Sequence, residues 1–177
     1  MNLRPYRNVF PTLGARVYVD PAAVVIGKVT IGDDSSVWPT AVVRGDVNSI
    51  TIGARTSIQD GSVLHVTHDG PYAPGGRALI IGSDVTVGHR VMLHACTIGN
   101  ACLIGMGAIL LDNVEVEDFV MIGAGSIVAP GKRLEKHGLY VGSPARRVRD
   151  LKPEEIEFLT YSAGHYVRVK DGYMADK

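Results

Sequence analysis

A chain of 177 residues is enough for one domain of ordinary size. Lys plus Arg and Asp plus Glu number 18 each, which excludes the broad basic field of a nucleic-acid binder. No run approaches the ~20 apolar residues of a membrane span, no N-terminal segment has signal-peptide order, and two cysteines cannot form a disulfide framework. A soluble cytoplasmic protein with no nucleic-acid or membrane partner is the expectation.

Val and Ile together supply 36 residues and Gly 21, while aromatics are only 6%. Branched aliphatics suit pleated strands and glycines suit tight turns. In chain order, Val19 and Val25 lead into a regular series of apolar anchors: Ile31, Val37, Val43, Ile52, Ile58, Leu64, Ile81, Val87, Leu93, Ile98, Ile104, Leu110, Val116, Ile122 and Val128. Most steps are six residues, a period that fits neither a helix nor one simple strand. It fits short strands joined by corners, each with one inward anchor. Such a unit cannot bury its own apolar side and must stack on its neighbours.

Three steps break the period. Arg44-Gly45-Asp46-Val47-Asn48-Ser49 lengthens one, and the Gly/Pro-rich segment from His68 to Gly76 lengthens another into an extruded loop. The step from Leu93 to Ile98 is one residue short. Irregularities on a rigid scaffold are where sites are expected. After Pro130-Gly131 the repeat is expected to end, with Leu139 to Arg146 as a link off the solenoid. Pro153-Glu154-Glu155 then opens a helix with Ile156, Leu159, Ala163 and Tyr166 on one face. The domain reading is a repeat over 1–150 and a C-terminal helix over 151–177 packed along it.

This pattern resembles the hexapeptide left-handed β-helix, in which three units make one triangular coil. The fold class expected is an all-β solenoid of about five or six triangular coils with a C-terminal α-helix. Counting three units per coil puts Leu93 above Leu64, and so His94 above His65, one strand spacing (about 4.8 Å) apart. Two imidazoles at that spacing can converge on one metal. Arg44 falls beneath His65. Asp60, beside Gln59, falls beneath His89, in another column. His89 meets the other two histidines only if a second chain brings it, and a cyclic trimer would make three such sites.

Arg44-Gly45-Asp46, Gln59-Asp60, His65, His89 and His94 together resemble the γ-class carbonic anhydrase family over nearly the whole chain. The resemblance implies a homotrimer with metal shared between subunits: His65 and His94 from one chain, His89 from its neighbour. The metal implied is Zn2+, or Fe2+ or Co2+ in some preparations. Arg44 and Asp46 would pair across subunits, Gln59 would orient the bound water or bicarbonate, and Tyr161 would approach the site from the helix. The implied reaction is reversible hydration of carbon dioxide to bicarbonate. It suits the residues, because a metal on three neutral histidines keeps its charge and an open position for water.

Two family positions depart from the archetype. The acid that follows the Arg-Gly-Asp motif is replaced by Val47, and one in the loop by His68. Histidine is the side chain suited to proton transfer near neutral pH, and His68 is the candidate replacement proton shuttle. The alternatives are an acyl-CoA thioesterase, a metal-binding trimeric structural or assembly protein with little turnover, and a hexapeptide acyltransferase. No Gly-x-Ser-x-Gly elbow supplies a serine nucleophile. Trp38, one coil beneath Gln59, is expected at the floor of the site or, in preference, at the trimer contact. Cys96 and Cys102, on different faces, are expected to be unpaired.

Overall fold

The computed structural model describes residues 2–176 and shows a parallel β-solenoid closed by one C-terminal helix. Its first face stacks Leu3–Arg4, the start of Val24–Ile31, the start of Val42–Ile52, Val63–His65, Met92–His94, Ile109–Leu110 and Ile127–Val128. The second runs from Thr12–Leu13 to Arg133–Leu134, and the third from Tyr18–Val19 to Gly138–Gly142. Each face carries seven parallel rungs, one or two more than the five or six coils expected.

The repeat does not end at Pro130-Gly131. Leu134 and Tyr140 continue the six-residue step and pair with Val116 and Ile122. The charged residues around them point outward, where the solenoid tolerates any polar side chain. The segment expected as a link instead forms an antiparallel hairpin, Gly138–Gly142 with Ala145–Asp150, that closes the end of the third face. Leu13, Val19 and Val25 extend the anchors downward at the same spacing.

The inward anchors make one continuous core. Ile58, Leu64, Val87, Leu93, Ile104, Leu110 and Ile122 are fully buried. The corners need left-handed backbone. Arg16, Asp34, Arg55, Asp84, Ala101, Phe119 and His137 stack at one corner, all with φ between 49° and 60°. A non-glycine residue costs roughly 1–2 kcal/mol there. Two rungs compensate in part with forked ion pairs, Arg16 on Asp34 (2.8 and 2.5 Å) and Arg55 on Asp84 (both 2.7 Å).

The three faces differ in what they present outward. The second is mainly polar, at Thr12, Thr30, Thr51, Thr97, Glu115 and Arg133, all exposed, with exposed Ile80 between Thr51 and Thr97. The first presents an aliphatic row: Val42, Val63, Met92, Ile109 and Ile127, with Val63 36% and Met92 42% exposed. The third is covered by helix α1, Pro153–Ala175, which lies on Ser36–Val37, Ser57–Ile58 and Thr86–Val87. Leu159, Ser162, Ala163 and Lys170 form its buried side. Thr86 and Ser162 share a buried hydroxyl contact of 3.0 Å. Lys170, fully buried, reaches Asp34 Oδ1 at 3.2 Å and also pairs with Asp171. Trp38 lies under this helix, donating Nε1–H to Ser57 Oγ (2.9 Å) among Tyr18, Tyr166 and Tyr173. It is therefore a contact of the helix within one chain. Cys96 and Cys102 are buried and free, and burial pushes both thiols up to about 12.

The start of α1 is held by charge. Glu155 accepts from Arg149 Nη1 and Nη2 (2.6 and 2.8 Å) and from the Lys152 backbone N–H (2.8 Å). These bonds, Arg149 first, lower its pKa to about 2. A depressed folded-state pKa contributes stability above the unfolded value of 4.5 and loses it as pH falls toward 2. Glu155→Gln should therefore flatten the loss of helicity between pH 5 and pH 2, followed by circular dichroism.

Candidate metal centre

The coil arithmetic holds in detail. Leu64 pairs with Leu93, and His65 with His94 on the next rung of the first face. Their rings are 5.2 Å apart, with His65 Nδ1 facing His94 Nε2 at 3.2 Å. Both side chains point the same way because each follows a buried anchor by one residue on paired strands.

The outer nitrogen of each ring is occupied by a carboxylate. His65 Nε2–H donates to Asp46 Oδ1 (3.0 Å), and His94 Nδ1–H to Asp112 Oδ1 (2.6 Å). Burial works against ionisation of Asp46, but bonds from Arg44, His65 and the Val47 N–H (2.8 Å) outweigh it and hold its pKa below the usual range. Asp112 is likewise lowered: burial opposes, and bonds from Thr67 and His94 prevail. Ionised carboxylates only accept, so the ring nitrogens facing them carry the protons. His65 is kept neutral mainly by burial, with Arg44 and His94 acting in the same direction and Asp46 against.

With their other nitrogens on carboxylates, His65 Nδ1 and His94 Nε2 face each other across 3.2 Å. Two nitrogens at 2.0–2.1 Å from a tetrahedral zinc ion are about 3.3–3.4 Å apart. The pair therefore fits a divalent metal, and its carboxylate backing is the usual outer shell of metal-ligating histidines.

His89 stands elsewhere. It precedes the first-face strand Met92–His94, whereas His94 ends it. The two sites thus flank the aliphatic row on opposite edges of one face. His89 Nδ1 donates to Asp60 Oδ2 (3.0 Å), one coil below, which leaves Nε2 open. It lines an open groove of about 620 Å³ with Thr40, Asp60, Arg90 and Met106. Among the described residues of one chain, no three His, Cys, Asp or Glu come together to hold an ion.

The other candidates fall as follows. Arg44 is bound to Asp46 of the same chain, beside His65. Gln59, only 3% exposed, faces a cleft under α1 together with His89. His68 is exposed on the loop that follows His65. Tyr161 lies on the outer side of α1, 61% exposed and stacked on His165, and Tyr166 instead lines the clefts beside His89. Sequence reasoning missed Asp112 and Thr67. Asp112 lies two residues beyond the anchor Leu110, one coil above Ala95, so the same counting places it beside His94.

The comparisons agree with this architecture. The family model for bacterial transferase hexapeptide (six repeats) matches residues 95–131. Over 172 residues the chain is 59% identical to protein YrdA of Escherichia coli, covering 97% of this chain and 94% of that one. It is 39% identical to a carbonic anhydrase of Geobacillus kaustophilus, covering 97% and 90%. Identity to gamma carbonic anhydrase 1, mitochondrial, of Arabidopsis thaliana is 41%, covering 98% of this chain and 64% of that one. The crystal structure of a hexapeptide transferase family protein from Anaplasma phagocytophilum superposes with a TM-score of 0.90 at 38% identity, covering 97% and 98%. Among the described residues no helix is long and apolar enough to cross a membrane. Fold, repeat and relatives converge on one assignment, and the chain belongs to the γ-class carbonic anhydrase-like family of hexapeptide-repeat proteins.

Proposed function

We propose that this protein hydrates carbon dioxide reversibly to bicarbonate at zinc-type metal sites shared between copies of the chain in a cyclic trimer. One observation carries the reading: two carboxylate-backed histidines face each other on one edge of an aliphatic face, and a third stands on the opposite edge. A face with different halves of a site on its two edges is a heterologous surface, satisfied when copies close into a ring. Packing the Val63 and Met92 row against a neighbour would bury it and carry His89 of that neighbour toward His65 and His94.

A divalent cation held by three neutral imidazoles lowers the pKa of a bound water to about 7 and so supplies a nucleophilic oxygen at neutral pH. This chain's own groups do the rest. Asp46, Asp112 and Asp60 fix the tautomer of each histidine, and Arg44 keeps Asp46 ionised. The proton released must reach solvent, and exposed His68 is the group that carries it. His68→Ala should slow hydration several-fold in weak buffer and regain rate with added imidazole, while metal content stays unchanged.

Asp112→Asn should weaken metal binding about 10- to 100-fold, read by competition with a chromophoric chelator. The activity itself is tested by stopped-flow carbon dioxide hydration on zinc- and iron-loaded protein, the latter without oxygen, beside a panel of acyl-CoAs. Hydration by the loaded protein that disappears with the metal supports the proposal. Turnover of acyl-CoAs alone would replace it with thioester hydrolysis. Inactivity in both with metal bound would leave a structural or assembly role.

A further inference from the structure

The loop between Thr67 and Arg77 is held in shape by its own bonds. Thr67 and Arg77 exchange backbone hydrogen bonds at its base (3.0 and 2.9 Å), and Gly70 and Ala73 do so again at the turn (3.3 and 3.0 Å). Asp69 Oδ1 accepts the Gly75 N–H (2.7 Å), and Asn48 donates its side-chain amide to the Thr67 carbonyl (3.3 Å). At the tip of this braced turn, Tyr72 is fully exposed. A second aromatic surface runs along the outer side of α1. Phe158 and Tyr161 are exposed with ring centres 6.3 Å apart, and Tyr161 stacks on His165 at 6.4 Å.

We infer that Tyr72 of one copy docks on the Phe158–Tyr161 row of the next copy's α1. The inference rests on the ring of copies proposed above and names a contact that this ring makes outside the metal site. Placement around the coil carries it first. Val63–His65 ends at the edge between the first and second faces, and the loop leaves the coil there; His89 stands at the edge between the third and first, and α1 covers the third. Where the His65 edge of one copy meets the His89 edge of the next, the loop of the first and α1 of the second therefore stand on the same outer side of the junction. Their heights agree as well. Ser162 touches Thr86, whose strand shares a coil with Val63–His65 and Leu79–Ile81, so Tyr161 stands at the level from which the loop leaves. In a ring whose axis follows the solenoid, equal levels meet. The chemistry matches too. Pro71, Tyr72, Ala73 and Pro74 carry no charge, and the row offers rings that favour an offset or edge-on aromatic partner. A turn already braced loses little freedom on docking.

The test treats the full, metal-loaded chain with a short bismaleimide crosslinker. The double variant Tyr72→Cys, Tyr161→Cys should give covalent dimers and trimers on denaturing gels, because each loop reaches the next chain's helix. Either single variant should run as a monomer, since Cys96 and Cys102 are buried. So should Tyr72→Cys combined with Val148→Cys, on the hairpin that closes the third face. In a second measurement, Tyr72→Ala should speed subunit exchange between labelled and unlabelled trimers by about tenfold. Metal-bearing wild-type trimers whose double variant crosslinks no more than the Val148 pair would overturn the docking alone and leave the α1 row to another occupant. An unchanged exchange rate would do the same, and it decides if the double variant does not assemble. A wild type that forms no metal-bearing trimer would overturn the shared site, and the docking with it.

Discussion

His89→Ala is expected to leave the protein folded and assembled but without stoichiometric metal. The side chain is about half exposed and touches only Asp60 by hydrogen bond, so its removal opens no core cavity. The aliphatic row proposed to hold copies together is untouched. What is lost is a third ligand. Structural zinc in small peptides is bound with about 10–16 kcal/mol shared among four ligands, so one ligand is worth about 3 kcal/mol, more than a hundredfold in affinity. Metal analysis after gel filtration reads the outcome. The trimer should elute unchanged with its metal gone. Full stoichiometry in the mutant would show that His65 and His94 find their third partner elsewhere.

Gly53→Ala is expected to be among the most damaging single methyls in the solenoid. A Cβ at Gly53 would lie 2.5 Å from the Gly82 carbonyl carbon and 2.6 Å from both its oxygen and the Ser83 nitrogen. These are backbone atoms of the next coil, held by the Gly53 N–H to Ile81 carbonyl bond of 2.8 Å, so they cannot rotate away. Overpacking that side chains can absorb costs about 1–3 kcal/mol, and a backbone clash belongs at the upper end or beyond. At roughly 2–4 °C per kcal/mol for a chain of this size, the melting temperature should fall by about 6–12 °C. Gly125→Ala is the control. Its φ of +68° is strained for alanine, but nothing lies within 4 Å of the added atom. It should cost only roughly 1–2 kcal/mol. Equal losses at the two positions would mean that coil spacing is softer than the contacts indicate.

The stacking register was legible because the anchors are the core. Once Leu64 and Leu93 are equivalent, His65 must meet His94 and Asp60 must meet His89, whatever the loops between them do. Exposed charge obscured the ends. Leu134 and Tyr140 keep the step of six, yet Lys132, Arg133, Glu135 and Lys136 around them mask it, although an outward face accepts them. Trp38 was placed in the right column, but periodicity does not say which face the helix will cover. Asp112 was within reach of the counting, but an acid two residues past an anchor has many partners open to it until the coil above His94 is built. Arg44 and Asp46 lie two apart on one strand, and their local pairing beside His65 needs no counting of coils.

The sharing of one site between chains is tested most directly by mixing two inactive halves. His89→Ala keeps His65 and His94, and His94→Ala keeps His89. Unfolded together in equal amounts and reassembled, random trimers should regain roughly one quarter of the wild-type metal, since an interface is whole only when each side happens to supply its intact half. Neither variant reassembled alone should bind any. A mixture that stays as empty as its components would contradict the shared site.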